Sequence, residues 1–534
     1  MENEAEQQDE TNSEMKATEE TEEEQSDSHA SIEPRQGGTL TYGMIAEPKM
    51  FNELYSDDSA SSDVEINLFD GLVQVGPNME VEPLLAKKWD ISDDGLVYTF
   101  TLKEGVKFHD GEELTAEDVA FTFGIFKDDD YTGPRAGSFE YLADVRAVDE
   151  YTVEFRLSEP DARFLTLAGY GILPEHILGD VPVEDLGNHP FNTKEPVGTG
   201  PFRFVEWQAG QYIKLEAFED YHQGRPYLDH LIYKFVPDQN ALMSQLEAGD
   251  VDMMVIPATE IDMAQQWDDD GKIKLHAALG QQYNYMGFNL RLDLFKDKET
   301  RQAITHALDR EAIIEHVVMG QGEIAHGPVS PLSWAYTDKL PRFEYDPDKA
   351  KALLAEAGWE EGEDGILERN GQRFSFALST NQGNKVREEL TVVIQDQLAE
   401  VGIEVQPNLM EWNAFIESIT PPQNDFEAFI SGWSLGADPD PRDIWHSDEI
   451  EQGLNSVGYS NPKVDQLIDK NIHLIDQEER KKVLEDIFVT IADEQPYTFL
   501  YYPYELTATP RHMRGFAQHP QLRFYKAHEW WLDE

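Results

Sequence analysis

Residues 85–123, LAKKWDISDDGLVYTFTLKEGVKFHDGEELTAEDVAFTF, decide the fold more than any other stretch of this chain. Residues 92–95 are turn formers, and Val97–Leu102 alternates apolar and polar side chains in the manner of a half-buried strand. Residues 107–111 predict a second strand that enters a tight turn.

Two helices are predicted from their ends. Thr115 is placed to cap a helix, because Asp118 follows three residues later, where the acidic partner of a capping box belongs. Residues 62–72 form a shorter apolar segment in which Gly71 stands where a C-terminal cap is expected.

Strand and helix patterns continue to alternate along the rest of the chain. Further strands are predicted at 40–44, 283–289, 374–378, 403–406 and 426–431, and a long helix at 388–401. Alternation of this kind indicates an α/β architecture. At 534 residues, the chain is long enough for two or three domains.

The composition excludes several classes of function. A formal net charge of −63 argues against nucleic-acid binding, which requires clustered lysine and arginine. The chain has no cysteine, so it has neither disulfides nor thiolate metal sites. Residues 1–35 carry thirteen acidic and two basic side chains and predict a disordered acidic linker.

The segment 426–442, FEAFISGWSLGADPDPR, predicts a strand that runs into a rigid acidic turn. Pro439 and Pro441 fix two backbone φ angles and hold Asp438 and Asp440 on the turn. A fixed carboxylate beside Trp433 suits a ligand ammonium group. An ordinary acidic surface loop remains the alternative interpretation.

Three sequence patterns bear on catalysis, metal binding and cofactor binding. Residues 432–436, GWSLG, match the G-x-S-x-G motif of α/β-hydrolases with Ser434 as nucleophile, but the prolines that follow cannot continue the helix that this motif requires. The 15 histidines form no zinc-binding spacing. Gly198-x-Gly200 lacks the third glycine and the helix of a dinucleotide loop. The sequence therefore predicts no enzyme, no metal and no cofactor.

Several segments together resemble one protein family. These are 85–123, 196–204 (PVGTGPFRF), 221–229 (YHQGRPYLD), 455–465 (NSVGYSNPKVD) and 493–503 (DEQPYTFLYYP). They resemble the extracellular solute-binding proteins, family 5, which serve dipeptide, oligopeptide and nickel importers. Within the family, the likeness is nearest to oligopeptide-binding proteins of Gram-positive bacteria, and it spans about residues 38–530.

The resemblance implies a two-lobed, periplasmic-binding-protein-like (Venus-flytrap) α/β fold with an extra peripheral domain. After the linker at 1–35, it implies a discontinuous first domain (36–80, 195–280 and 505–534), a peripheral domain (81–194) and a second lobe (281–504). Strands near Tyr283 and residue 505 are expected to cross between the lobes and act as a hinge.

The resemblance also implies a function. The protein is expected to be a monomeric receptor that captures oligopeptides in extended form and delivers them to the permease of an ABC importer. It is expected to be a lipoprotein on the outer face of the cytoplasmic membrane, with its export signal missing from this sequence. The alternatives are the same role for a nickel chelate, haem or an oligosaccharide and, less favoured, a serine hydrolase using Ser434.

The site residues follow from the family's Gly-Trp segment. In oligopeptide-binding relatives, an aspartate shortly after this pair binds the N-terminal ammonium of the peptide, and the backbone pairs with the peptide main chain. Asp438 lies five residues after Trp433, a longer spacing than in some relatives, which leaves Asp440 as a rival. The predicted ligand-binding residues are Asp438, Trp433, Gly432, Ser434, Asp440, Tyr283 and Asn289.

Overall fold

The computed structural model describes residues 33–56, 58–451 and 453–533. The predicted linker at 1–35 therefore lies almost entirely outside the described residues, and its disorder stays a prediction. Among the described residues, no helix combines the length and the apolar composition needed to cross a membrane.

The first lobe contains two sheets of four strands. One is ordered Thr39–Met44, His230–Phe235, Tyr212–Ala217, Phe202–Gln208, with its first pair parallel. The other is ordered Ala86–Ile91, Val97–Leu102, Thr152–Leu157, Leu142–Asp149 and is antiparallel throughout. One apolar core joins both sheets, because alternate strand residues such as Leu40 and Phe100 are fully buried.

The largest sheet forms the centre of the second lobe and continues beyond it towards the first lobe, where Met253 bridges Tyr42. Its main path runs Met254–Val255, Tyr497–Pro510, Gln282–Phe288, Ala428–Ser434, Ser375–Asn381, Glu404–Met410, and Ile273–Leu279 and Gly322–Ile324 also pair with the long strand Tyr497–Pro510. The parallel strands Ser375–Asn381 and Glu404–Met410 are joined by the helix Lys385–Ala399, as parallel neighbours require. The predicted α/β class is confirmed.

Short strands complete the sheets: Val73–Val75 with Val81–Pro83, Met513–Arg514 with Trp531–Leu532, and Glu360–Glu361, Leu367–Arg369 and Gln372–Arg373 as a group of three. The α-helices are Ser59–Leu68, Ala116–Ile125, Phe164–Leu167, Glu175–Leu178, Val183–Leu186, Gln239–Ala248, Ile261–Asp269, Lys298–His306, Arg310–His316, Pro347–Glu356, Lys385–Ala399, Trp412–Ile419, Arg442–Trp445, Pro462–Ile472 and Gln477–Glu494.

The structure confirms some of the local predictions and contradicts others. The strand Val97–Leu102 and the capping box of Thr115 and Asp118 are confirmed. The helix predicted at 62–72 is wrong at both ends, since it spans Ser59–Leu68 and Gly71 does not cap it. A Cβ at Gly71 would lie 2.1 Å from the carbonyl oxygen of Gly169, so this glycine serves a close approach of two backbones.

The strand predicted at 107–111 is also wrong. Only a single bridge forms there, between Lys107 and Glu113. The turn residues His109 to Gly111 reverse the chain within a few residues. The segments on either side are therefore too short to form a longer ladder of backbone hydrogen bonds.

The long strand Tyr497–Pro510 connects the two lobes. Its first half pairs with Gln282–Phe288 and contributes Phe499 to the second lobe's core, whereas its second half pairs with Ile273–Leu279 and contributes Leu506 to a separate core. The connection from Ile273–Leu279 into Gln282–Phe288 runs alongside it. The domain boundaries stay a prediction. The two strands that run side by side between the lobes support that prediction.

Candidate ligand-binding site

The acidic turn is fixed by its own carboxylates. Asp438 Oδ1 accepts the backbone N–H of Asp440 at 3.1 Å, and Asp440 Oδ1 accepts that of Arg442 at 3.3 Å. These side-chain hydrogen bonds close two consecutive turns immediately before the short helix Arg442–Trp445. The two prolines therefore act on a backbone that is already constrained.

Asp438 makes a two-pronged ion pair with Arg480. The guanidinium donates from Nη1 to Oδ2 at 2.6 Å and from Nη2 to Oδ1 at 2.8 Å. Burial lowers the pKa of Arg480, but its hydrogen bonds and charge pairing with Asp438 outweigh that effect and leave the pKa above its usual range. Arg480 also lies 5.4 Å from the ring of Trp334. The carboxylate is thus held rigidly, and a ligand ammonium would share it with Arg480.

Asp440 is the more deeply perturbed of the two acids. Its side chain is 10% exposed, and its carboxylate lies 3.8 Å from Arg163 of the first lobe. Burial, followed by the neighbouring charge of Asp438, raises the pKa of Asp440 to about 7. Arg163 is itself held by Asp161, with both hydrogen bonds at 3.0 Å. Asp440 therefore belongs to a charge cluster that crosses between the lobes.

The strand before the turn presents a free edge. Ala428–Ser434 pairs with Gln282–Phe288 along its whole length, but on its other side Ser375–Asn381 pairs only with Ala428 and Phe429. Within the described residues, no strand covers the second edge of 431–434. Such an edge can accept an extended peptide through main-chain hydrogen bonds.

The residues of this edge are arranged for close approach. A Cβ at Gly432 would lie 3.0 Å from Asn284 Oδ1 and 3.3 Å from Arg387 Nη2, so the glycine leaves the backbone accessible where side chains crowd it. Trp433 is half-buried and lies parallel to Tyr285, with ring centroids 6.4 Å apart. Ser434 is exposed at the end of the strand.

Two predicted residues lie in different surroundings. Tyr283 pairs with Trp433 but is fully buried, and its hydroxyl has no hydrogen-bond partner among the described residues. Asn289 lies six residues further along the strand, roughly 20 Å away. Its Nδ2 donates to the carbonyl oxygen of Phe426 at 2.8 Å and holds the start of the neighbouring strand. The geometry groups the other five residues and leaves Asn289 apart from them.

The hydrolase interpretation of Ser434 lacks its structural context. The nucleophile motif requires a helix directly after the serine, whereas the next helix here begins at Arg442. Among the described residues, no group of three or more metal-ligating side chains is positioned to hold an ion. The site can bind and orient a ligand, but its geometry does not activate Ser434.

A cavity of about 370 Å³ lies in the first lobe, and no local pattern in the sequence indicates it. Its walls come from 53–84, 135–170, 201–223 and 522–528, segments far apart in the chain. They are mainly apolar and carry a few titratable groups, namely Glu53, Glu65, Asp70, Arg135, Lys526 and His528. Mostly apolar walls with a few polar groups are typical of ligand sites.

The cavity adjoins the acidic turn through residues 519–522. Gln521 Nε2 donates to the carbonyl oxygen of Leu435 at 2.6 Å, and Leu522 lines the cavity directly afterwards. His519 Nδ1 accepts two backbone N–H groups, so its Nε2 carries the proton and donates to the carbonyl oxygen of Val75, another lining residue. Residues 519–522 thus connect the segment just before the acidic turn with the wall of the first-lobe cavity.

Two lobes that meet beside an acidic turn, with an unpaired strand edge leading into that turn, indicate a solute-binding protein. The chain belongs to the bacterial extracellular solute-binding proteins, family 5, whose pattern matches residues 80–449. This confirms the family expected from residues 85–123 and, with it, the two-lobed fold and a non-enzymatic, extracellular class of protein.

Individual relatives are similar over nearly the whole chain. The oligopeptide-binding protein AppA of Bacillus subtilis is 47% identical over 504 residues, covering 93% of this chain and 92% of that protein. The solved structure of AppA in complex with a nonapeptide has a TM-score of 0.80 at 46% identity and covers 94% of this chain and 100% of that one. The haem-binding protein A of Haemophilus influenzae is 32% identical over 464 residues, 83% of this chain and 82% of that protein.

Proposed function

We propose that this protein is the extracellular receptor of an ABC importer and captures oligopeptides in extended form between its lobes. The observation that carries the proposal is the free edge at 431–434, which ends at a fixed acidic turn. An extended peptide gains main-chain hydrogen bonds there whatever its sequence. The likeness to AppA, solved with a nonapeptide, supports the same ligand class.

Asp438 is the proposed partner of the peptide's N-terminal ammonium. Its carboxylate is rigid, and both Trp433 and the free edge lie within the same segment. Because Arg480 already occupies both oxygens, the ammonium binds as a third member of a shared charge cluster, with Asp440 supplying further negative charge. This arrangement differs from a simple ion pair, because two cations share one carboxylate. The contribution of Asp438 to peptide affinity can therefore be measured against that of Arg480.

The partners and location complete the proposal. The receptor acts as a monomer, delivers its peptide to permease subunits and is tethered as a lipoprotein through the acidic segment at 1–35. Light scattering of the purified protein checks the first point. Mass spectrometry of the mature protein from its native host checks the tether, because a lipidated cysteine upstream of residue 1 is expected.

Calorimetry with a nine-residue peptide of neutral side chains tests the proposed ligand directly. Micromolar or tighter binding is expected, with haem and nickel–histidine binding far more weakly. Native mass spectrometry of freshly purified protein should show co-purified peptides. Tight binding of haem or nickel–histidine, with no affinity for peptides, would replace this proposal by one of the alternatives.

A further inference from the structure

A pair of acids, Glu53 and Glu65, lies in the wall of the first-lobe cavity. Glu65 is 3% exposed, and its Oε2 accepts the hydroxyl of Ser56 at 3.0 Å. Its Oε1 has no hydrogen-bond partner among the residues that the structure describes. A buried carboxylate oxygen without a donor is costly, so a donor entering from the cavity would be strongly stabilised.

Glu53 faces the same space. Its Oε2 accepts the backbone N–H of Gly171 at 2.9 Å. That bond satisfies one lone pair, whereas an ionised carboxylate can accept about four hydrogen bonds. The two acids can therefore act together on one ligand group.

The nearby cation, Arg135, does not neutralise the two acids. Arg135 Nη2 donates to the carbonyl oxygen of Ser56 at 3.1 Å, and its guanidinium lies 5.8 Å from the ring of Tyr170. The charge of Asp58 also acts on Glu65 and raises its pKa. Glu53, Glu65 and Asp58 thus outnumber Arg135, and the local balance is negative.

The other charged groups of the cavity have neighbours of their own. Asp70 is hydrogen-bonded to His222 Nε2 at 2.9 Å, and Lys526 lies 5.2 Å from the ring of Tyr525. They leave the acid pair as the part of the wall whose charge is least compensated.

We propose that Glu53 and Glu65 form a subsite for a basic side chain, arginine or lysine, of the captured peptide. The assignment rests on the proposed peptide-binding function. Charge-assisted N–H donors would reach Oε1 of Glu65 and the remaining lone pairs of Glu53. The apolar part of the cavity wall accommodates the methylene stem that arginine and lysine share.

Proton uptake gives this subsite a distinctive signature. Burial raises the pKa of Glu65 and of Glu53, and the charge of Glu53 raises that of Glu65 further. Two carboxylates in one site therefore bind protons more readily than isolated acids do. A cation that binds between them opposes this proton uptake, whereas a neutral side chain does not.

The test uses nine-residue peptides with one arginine, placed at successive positions, and matched peptides in which citrulline replaces it. At one position, arginine is expected to bind roughly 10- to 100-fold more tightly than citrulline, the range for hydrogen bonds to a buried charge. Calorimetry over a range of pH, with two buffers of different ionisation enthalpy at each pH, should show proton release with the arginine peptide and none with the citrulline peptide.

Variants separate the subsite from the general attraction of an acidic protein for cations. Glu65→Gln and Glu53→Gln should each lose the arginine preference and the proton release while binding the citrulline peptide as before. Glu117→Gln removes the same charge from an exposed position on the same lobe and should change neither property.

Three results would overturn the assignment. Equal affinity for arginine and citrulline at every position would remove the subsite and leave the proposed function standing. An arginine preference that survives in both glutamine variants would locate the cation elsewhere. Failure of every peptide to bind would remove the proposed function and the subsite together.

Discussion

The guanidinium of Arg163 lies 3.8 Å from the carboxylate of Asp440 and joins the first lobe to the acidic turn of the second. Backbone contacts reinforce this boundary: the N–H of Ala162 donates to the carbonyl oxygen of Ile472 at 2.8 Å, and His473 Nδ1 donates to that of Pro160 at 2.7 Å. Charge and main-chain contacts together join the two lobes along one edge of the region between them.

Arg163→Gln is expected to weaken this contact between the lobes. The pair with Asp440 is poorly exposed but not in ideal contact, so its share of the loss should be about 1 kcal/mol and appear mainly as faster peptide release. The loss of the two hydrogen bonds to buried Asp161 adds a cost in protein stability. Stopped-flow displacement of a labelled peptide measures the first effect. Arg156→Gln, which removes an exposed pair with Glu154 in the same lobe, is the control. Identical release rates for both variants would show that the contact does not contribute.

Asp440 is expected to make stability depend on pH. Its pKa rises from 3.8 to about 7 in the folded protein, so its contribution is fully present below about pH 4 and is lost as the pH rises through 7. Between pH 6 and 8, wild type should lose roughly 1 kcal/mol of unfolding free energy relative to Asp440→Asn. Denaturant unfolding at both pH values measures the difference. Parallel pH dependence in the two proteins would contradict it.

Asp438→Ala is expected to weaken peptide binding by roughly 2–5 kcal/mol, the range for truncating a buried charge pair, with Asp440→Ala costing less. Part of this loss reflects Arg480, which is left buried and unpaired. An N-acetylated peptide isolates the ligand's share, because acetylation should reduce affinity in wild type and have little effect in Asp438→Asn. If acetylation leaves wild-type affinity unchanged, Asp438 does not bind the ammonium.

Two glycines of the first lobe should respond in opposite directions to alanine. A Cβ at Gly198 would lie 2.0 Å from the carbonyl oxygen of Leu68, so Gly198→Ala should cost about 1–3 kcal/mol through forced backbone shifts. Gly124 lies in the helix Ala116–Ile125 with open space around its Cβ position, so Gly124→Ala should add about 0.5–1 kcal/mol. Thermal unfolding of both variants checks the pair, and equal shifts would refute the argument.

Much of the local structure could be predicted from the sequence. The capping box of Thr115 and Asp118 depends on contacts within a few residues. The local predictions are wrong where a residue has a structural role other than the one its type usually indicates. Gly71 looked like a helix cap but serves the approach of Gly169, a neighbour that no local pattern reveals.

The sequence by itself determined the family, the α/β alternation and the acidic turn, because each depends on residues that are close together in the chain. Only the tertiary structure decided what surrounds that turn. Arg480 is 42 residues from Asp438, and Glu65, Arg135 and Leu522 come from three separate segments of one cavity. The charge state of a buried acid depends on neighbours that packing supplies, and the distances between such neighbours are not encoded in any local pattern.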